Sequence, residues 1–436
     1  MLDYHFIVDN IDAVKKNIEN RFMKADAGAV VRLFARRTEL VTALQNLQQQ
    51  RNANAAAMKG KMEQAERQRL IEEGKKLKDE IAAADAELSK LEAELEAEAR
   101  RIPNMAHPDA PQGREDKDNL EVKRVGEPAH FDFEPKDHVQ LGQDLDIIDF
   151  DSATKVSGTK FYYLKNEGVF LELGLVRYAL DILQNRGFTP FITPDVAREE
   201  ILEGIGFNPR GAESNVYTLE GEDACLVGTA EITLGGYYSN TVLPKDKLPL
   251  RLAGLSHCFR REAGAAGQFS KGLYRVHQFT KLEMFVYCLP EDSGRLHEEL
   301  RAVEEEIFSG LGIPFRVVDT CTGDLGAPAY RKWDLEAWMP GRASPALHNG
   351  GEWGEVTSTS NCTDYQARRL NIKYKDEDGG KSRNKFVHML NGTAIAVSRG
   401  IIAILENFQQ ADGSVRLPAA LVPYCGFEVI KPKPTI

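Results

Sequence analysis

Residues 248–288 read LPLRLAGLSHCFRREAGAAGQFSKGLYRVHQFTKLEMFVYC. Two runs of alternating apolar and polar residues flank a stretch rich in Gly, Ala and Ser, the pattern of two strands joined as a long hairpin. Side chains two apart share a strand face, so Arg275, His277, Phe279, Lys281 and Glu283 fall on one face of the second strand. That face is too charged for a packed core. Arg260 and Glu262 share a face at the end of the first strand. Arginine clamps phosphate oxygens in pairs, phenylalanine stacks on a purine, and a carboxylate pairs with an ammonium. A nucleotide plus an amino acid fits these demands; the alternative is a solvated hairpin laced with salt bridges.

Downstream, KFVHMLNGTAIAVSRGIIAILENFQQ (385–410) reads as a short apolar strand, a turn at Asn391–Gly392 and a helix. Arg399 stands among Ala396, Gly400 and Ala403, small residues that let the helix pack closely on a sheet. Its guanidinium needs an anion, either a ligand or a structural carboxylate. The nearby GEWGEVTSTSN (351–361) offers Glu355 and Ser358, oxygen ligands suited to a magnesium ion carried by phosphates. Strict alternation puts these two on opposite faces, so a shared ion requires a bulge or turn between them. An acidic strand end is the alternative.

Upstream, residues 27–102 are rich in Ala, Glu, Lys, Arg and Gln, with no proline before Pro103. Leu70, Gly74, Leu77, Ile81, Ala84, Leu88, Leu91 and Leu95 recur at alternating spacings of four and three, the seam of a coiled coil. Val30, Leu33, Leu40, Leu44 and Leu47 keep the same rhythm, broken by Arg37, Arg51 and Asn54. The weak segment around Gly60 predicts one antiparallel hairpin, with a second helix spanning roughly 55 Å at about 1.5 Å per residue. Residues 27–78 hold 11 Lys/Arg against 5 Asp/Glu, and residues 79–102 hold 3 against 8, so the distal half is basic. Such a gradient suits a polyanion near the tip, or simply a solvated helix face.

The whole chain has 436 residues, 42% of them hydrophobic, which predicts two or three domains and excludes global disorder. A net charge of -11 confines any nucleic-acid surface to a local patch. Six widely spaced cysteines without a CxxC pair predict reduced, packed thiols and no zinc. Neither a dinucleotide fingerprint nor a P-loop occurs. The start MLDYHFIVDN resembles no secretory or transit peptide, and no run of eighteen apolar residues occurs, so the expectation is a cytoplasmic protein without a membrane partner. Expected boundaries are an N-terminal unit over 1–104, a linker over 105–129 that is rich in Pro, Gly and charge, and an α+β body over 130–436.

FRREAGAAGQFSKGLYRVHQFTKLEM resembles motif 2 of class II aminoacyl-tRNA synthetases, GTAIAVSRGIIAILEN resembles motif 3, and RGFTPFITP (186–194) resembles motif 1, which builds the dimer interface of that class. With the helical hairpin, GTAE (228–231), EVTSTSN and LNGT, the chain resembles the seryl-tRNA synthetase family of the common bacterial and eukaryotic type. The resemblance implies a catalytic domain with an antiparallel sheet flanked by helices, ATP bound with Mg2+, and L-serine joined to tRNA(Ser) and to tRNA(Sec) by a homodimer. It assigns Arg260, Glu262 and Arg399 as catalytic, with Arg275, Phe279, Glu355, Val356, Thr357 and Ser358 also on ATP. It assigns Thr229, Ala230, Glu231, Arg260, Glu283, Asn391 and Thr393 to serine, and Glu355 with Ser358 to Mg2+. Gln268 and Lys271 stand where the family often has arginine, Thr393 where it often has serine, and residues 343–350 look like an insertion. The rival expectation is a catalytically silent paralogue acting as a dimeric RNA-binding scaffold.

Overall fold

In a computed structural model, residues 1–60, 62–209, 214–263, 270–342, 350–378 and 381–433 are described. The chain divides into two units, Met1–Met105 and Ala106–Ile436.

The first unit contains α1 (Tyr4–Asp9), α2 (Ile11–Asn20), α3 (Ala27–Ala57) and α4 (Gln64–Arg101). Asp26 starts α3 by accepting a hydrogen bond from the Ala29 amide. Pro103 forces the residue before it out of helical geometry, and Ile102 is accordingly extended, with ψ 123°. The apolar rhythm becomes a seam: α3 buries Val30 and Leu40, and α4 buries Leu70, Leu77, Ile81 and Leu95. Arg36 meets Glu87 at 3.0 Å and Arg37 meets Glu92 at 2.8 Å, while Asn54 lies against Gly74. Partners of the first half of α3 lie in the second half of α4, and Asn54 near the end of α3 meets Gly74 in the first half of α4, so the pair is antiparallel. Two of the polar breaks in the rhythm thus have cross-helix partners: Arg37 reaches a carboxylate, and Asn54 takes the space a glycine leaves.

The second unit is built on an eight-stranded sheet: β1 (Leu120–Val125), β2 (Thr189–Ile192), β3 (Leu250–Phe259), β4 (Gln278–Cys288), β5 (Phe315–Asp319), β6 (Arg331–Met339), β7 (Glu352–Asn361) and β8 (His388–Ala396). The spatial order is β1-β5-β6-β7-β8-β4-β3-β2. Every pair is antiparallel except β2 with β3. One face lies under α5 (Glu167–Asn185), α7 (Ser293–Gly310) and α8 (Val397–Asn407), enclosing Leu175, Leu282, Met284, Leu300, Ile307, Leu335 and Ile401. Each such side chain contributes about 1.5–3 kcal/mol. On the other face, Phe285 and Tyr287 pack with Ile232 and Leu234 of α6 (Ala230–Gly236), leaving the centre of the sheet open for polar groups. The fold is α+β.

Two expectations change. The stretch 105–129, read as a linker, contains β1, which pairs with β5 at the sheet edge. An edge strand with Leu120 57% and Val122 45% exposed buries too little to leave an apolar signature. Asn391–Gly392, read as a turn, lies inside β8, where Gly392 pairs with Met284 of β4 and Thr359 of β7. Ladders on both sides satisfy the backbone there and override the turn preference of the dipeptide.

Candidate active site

Two bulges assemble the site. In the β6–β7 ladder Leu335 pairs with Thr357 and Glu336 with Glu355, so Val356 is an extra residue. Glu355 and Ser358 thereby come to the one face shared with Asp334 and Glu336, the arrangement that strict alternation forbids. In the β4–β8 ladder Glu283 pairs with Thr393 and Leu282 with Ile395, so Ala394 is extra. Asn391, Thr393 and Ala396 then share the face of Lys281 and Glu283, and Ile395 returns to the core.

A cleft on this face is lined by Arg260, Glu262, Tyr274, Arg275, Phe279, Lys281, Glu355, Val356, Thr357, Thr393 and Arg399, among others. Arg260 lies beyond the end of β3, its guanidinium 5.2 Å from the Phe279 ring centre and its Nε donating to Gly228 O at 3.3 Å. Glu262, at φ +51°, pairs with Arg275 at 3.4 Å. Arg399 projects from α8 over Tyr274, 4.7 Å from the ring centre, and meets the Glu355 carboxylate at 3.3 Å. Burial alone would raise the Glu355 carboxyl, but its side chain is 46% exposed, and Arg399, Lys332, Arg260 and Arg275 hold it below the ordinary carboxylate value. These clustered cations are arranged for a polyanion.

At the other end the polar groups form one connected set. Thr229 caps α6, its hydroxyl accepting from the Glu231 amide at 3.2 Å and donating to Glu283 Oε2 at 3.4 Å. The same oxygen accepts from Thr393 at 3.3 Å and pairs with Lys281 at 2.5 Å. Asn391 and Gln366 donate to Glu231 Oε1 at 3.0 and 2.8 Å. Burial, then the nearby charge of Glu283, pushes the Glu231 carboxyl up to about 7. A small cationic and hydroxylated ligand finds carboxylate and hydroxyl acceptors here.

The profile described as "Seryl-tRNA synthetase N-terminal domain" matches residues 1–106, and "tRNA synthetase class II core domain (G, H, P, S and T)" matches residues 216–408. The serine--tRNA ligase of Treponema denticola is 70% identical over 99% of this chain and 100% of that protein. That of Treponema pallidum is 59% identical, again over 99% and 100%. The chain belongs to the seryl-tRNA synthetase family. Among solved structures, the family member from Pyrococcus horikoshii, complexed with ATP, superposes with a TM-score of 0.89 at 38% identity, covering 99% of this chain and 100% of that one.

Against the family pattern, most of the residues expected on ATP stand together in the cleft. Ser358 lies beyond it, opposite Asp334 in the ladder. Of the residues expected on serine, Thr229, Glu231, Glu283, Asn391 and Thr393 are linked by hydrogen bonds, but Ala230 packs on Gly254 of β3 and takes no part through its side chain. His277 precedes β4 and does not line the cleft; its Nδ1 contacts Arg260 O at 2.8 Å. Lys281, Tyr274 and Gln366 belong to the arrangement although the sequence reading assigned them no role. Alternation placed Lys281 on the face of Glu283 but gave it no role of its own. No local pattern points to Gln366, which arrives from a separate helix, Tyr365–Leu370. Lys271 pairs with Asp137. Gln268, with most of the motif 2 loop, and residues 343–349 lie outside the described residues.

The oxygen set fits magnesium. Glu355 and Ser358 share a face, and beside them the buried Asp334 Oδ1 has no hydrogen-bond partner among the described residues. No group of three or more His, Cys, Asp or Glu side chains suited to a metal occurs among the described residues. All six cysteines are buried. No described helix is long and apolar enough to cross a membrane.

Proposed function

We propose that the protein activates L-serine with ATP to seryl-adenylate and then transfers the seryl group to tRNA(Ser), and to tRNA(Sec) where one is present. The observation that carries this reading is the continuity of the site: the cationic cleft of Arg260, Arg275 and Arg399 runs through Thr393 and Lys281 into the closed polar set around Glu283 and Glu231.

The serine carboxylate attacks the α-phosphorus, pyrophosphate leaves, and the 3'-terminal ribose hydroxyl of tRNA later takes the seryl group and releases AMP. Both steps are governed by alignment and charge stabilisation. Arg260 holds the α-phosphate, Phe279 stacks on adenine, Glu262 stands on the adenine side, and Arg275 and Arg399 meet the outer phosphates. Glu355 and Ser358 would hold Mg2+, which when bound supplies charge neutralisation to the phosphates. Thr229, Glu231, Glu283, Asn391 and Thr393 enclose serine. Alanine leaves their buried polar groups unpaired, a penalty reaching factors of about 10⁴, whereas the extra methyl of threonine is refused only by tightness.

Residues 1–104 form the tRNA-binding unit, its hairpin reading tRNA shape through the basic distal half, and the body from 130 onward performs catalysis. The protein works as a cytoplasmic homodimer. Support for the dimer comes from Ile192, 88% exposed on the edge strand β2, and from Leu173 and Phe170 on α5, 60% and 54% exposed. Beside them, Phe188, Pro190 and Leu255 line an apolar hollow that holds none of the candidate active-site residues.

Pyrophosphate exchange with ATP and Mg2+ tests the reading, comparing serine, threonine, alanine and no amino acid. A serine-only signal is expected. Silence with every amino acid, in folded protein, refutes it.

A further inference from the structure

Directly behind the amino-acid end, on the helix side of the sheet, α7 carries Glu304 with no exposed surface. No hydrogen bond of ordinary geometry reaches either of its carboxyl oxygens among the described residues; the buried Thr357 hydroxyl, itself without such a bond, is the nearby group that eases its charge. The strand it meets is the back wall of the site. A Cβ at Gly392 would come 3.2 Å from Glu304 Oε1 and 3.0 Å from Thr359 Oγ1. Thr359 in turn donates its hydroxyl to Asn391 O at 2.9 Å. The missing side chain of Gly392 is therefore the space into which the Glu304 carboxyl fits, between the two β8 residues, Asn391 and Thr393, that face the polar set.

We propose that Glu304 is a positioning residue for the serine pocket: pressed behind Gly392, its carboxyl fixes where β8 presents Asn391 and Thr393. The inference rests on the assignment of that pocket to serine. Charges reaching Glu304 from neighbouring elements are those of Asp334 on β6 and Glu283 on β4, with Glu305 on its own helix, all acidic. His297, also on α7, contacts Thr359 O at 3.0 Å, and burial pushes its imidazole down to about 4, so it brings no positive charge at neutral pH. Burial and these acids raise the Glu304 carboxyl well above its ordinary value, with the Thr357 hydroxyl opposing them. Burial beside these acids thus favours the protonated form, and the group acts through the shape of its carboxyl. An unpaired buried carboxyl costs stability, so its contribution to function and its contribution to folding have opposite signs.

That opposition gives the test. In the full-length protein, E304L is expected to raise the thermal midpoint by about 2 °C or more. In pyrophosphate exchange it is expected to raise the KM for serine about tenfold, with the KM for ATP within about twofold. E304Q, neutral and of the same shape, is expected to restore the serine KM to within about twofold. Should E304L fail to fold, E304D withdraws the acid by one methylene and carries the same expectation for serine. An unchanged serine KM in E304L or E304D overturns the proposal, as does an E304Q as impaired as E304L. Failure of the pocket assignment has its own signature, an unchanged serine KM in E283Q.

Discussion

If Glu231 takes the serine ammonium in the pocket proposed above, serine binding should depend on pH. The Glu231 carboxyl titrates near 7, raised by burial and by Glu283, and only the ionised form attracts an ammonium group. At pH 8 about nine-tenths of the free protein has this carboxylate ionised, and at pH 6 about one-tenth, so serine affinity should fall about tenfold across that interval, about 1.4 kcal/mol. Calorimetric titration of serine without ATP measures this directly, because the phosphates of ATP titrate in the same range. E231Q should bind weakly with a flat profile. The sign for stability is opposite to that for binding. Since the folded protein disfavours the ionised acid, its relative stability is greatest below the ordinary value of 4.5 and is lost as pH rises through 7. E231Q should therefore gain thermal stability over the parent protein at pH 8 but not at pH 4.5. The full difference between 7 and 4.5 sets a ceiling of about 3 kcal/mol, reduced because Glu231 is only half-buried. A serine affinity that does not change between pH 6 and 8 would refute the reasoning.

Arg399→Ala should lower kcat for pyrophosphate exchange by about 10²–10³-fold with little change in thermal midpoint, because the Glu355 it leaves unpaired is partly solvated; wild-type exchange would remove its phosphate role. Ile192→Glu should convert a dimer into monomers in sedimentation, and a dimer that survives it would place the interface elsewhere. Replacing the exposed Arg67, Arg69, Lys75, Lys76 and Lys78 by alanine should raise the KM for tRNA and flatten its dependence on salt while serine-dependent exchange continues. If the salt slope stayed put, these charges would only solvate the helix.

The helical hairpin was legible because its order is local: a seam repeating every three and four residues defines the buried stripe, and Pro103 defines the end. Hairpin strands β3 and β4 were legible for the same reason, with Phe279, Lys281 and Glu283 on one face as alternation requires. Arg399 announced itself as a charge in an apolar helix. The edge strand β1 was missed because it buries almost nothing, and Asn391–Gly392 was misread because its composition speaks for a turn while its neighbours in space impose a strand.

By itself, then, the sequence determined the strongly periodic helices and strands, which residues carry charge on an otherwise apolar framework, and the family to which the chain belongs. Tertiary structure decided how those residues converge. The extra residues Val356 and Ala394 become bulges only against partner strands that come from elsewhere in the chain, and those bulges bring Glu355 to the face of Ser358, and Thr393 and Ala396 to a common face. The raised pKa values of Glu231 and Glu304 depend on burial beside other carboxylates, from segments as distant as α6 and β4. Periodicity along a chain records what each residue does to its own element. Desolvation and ladder register depend on which elements meet, and only the folded molecule holds them at those distances.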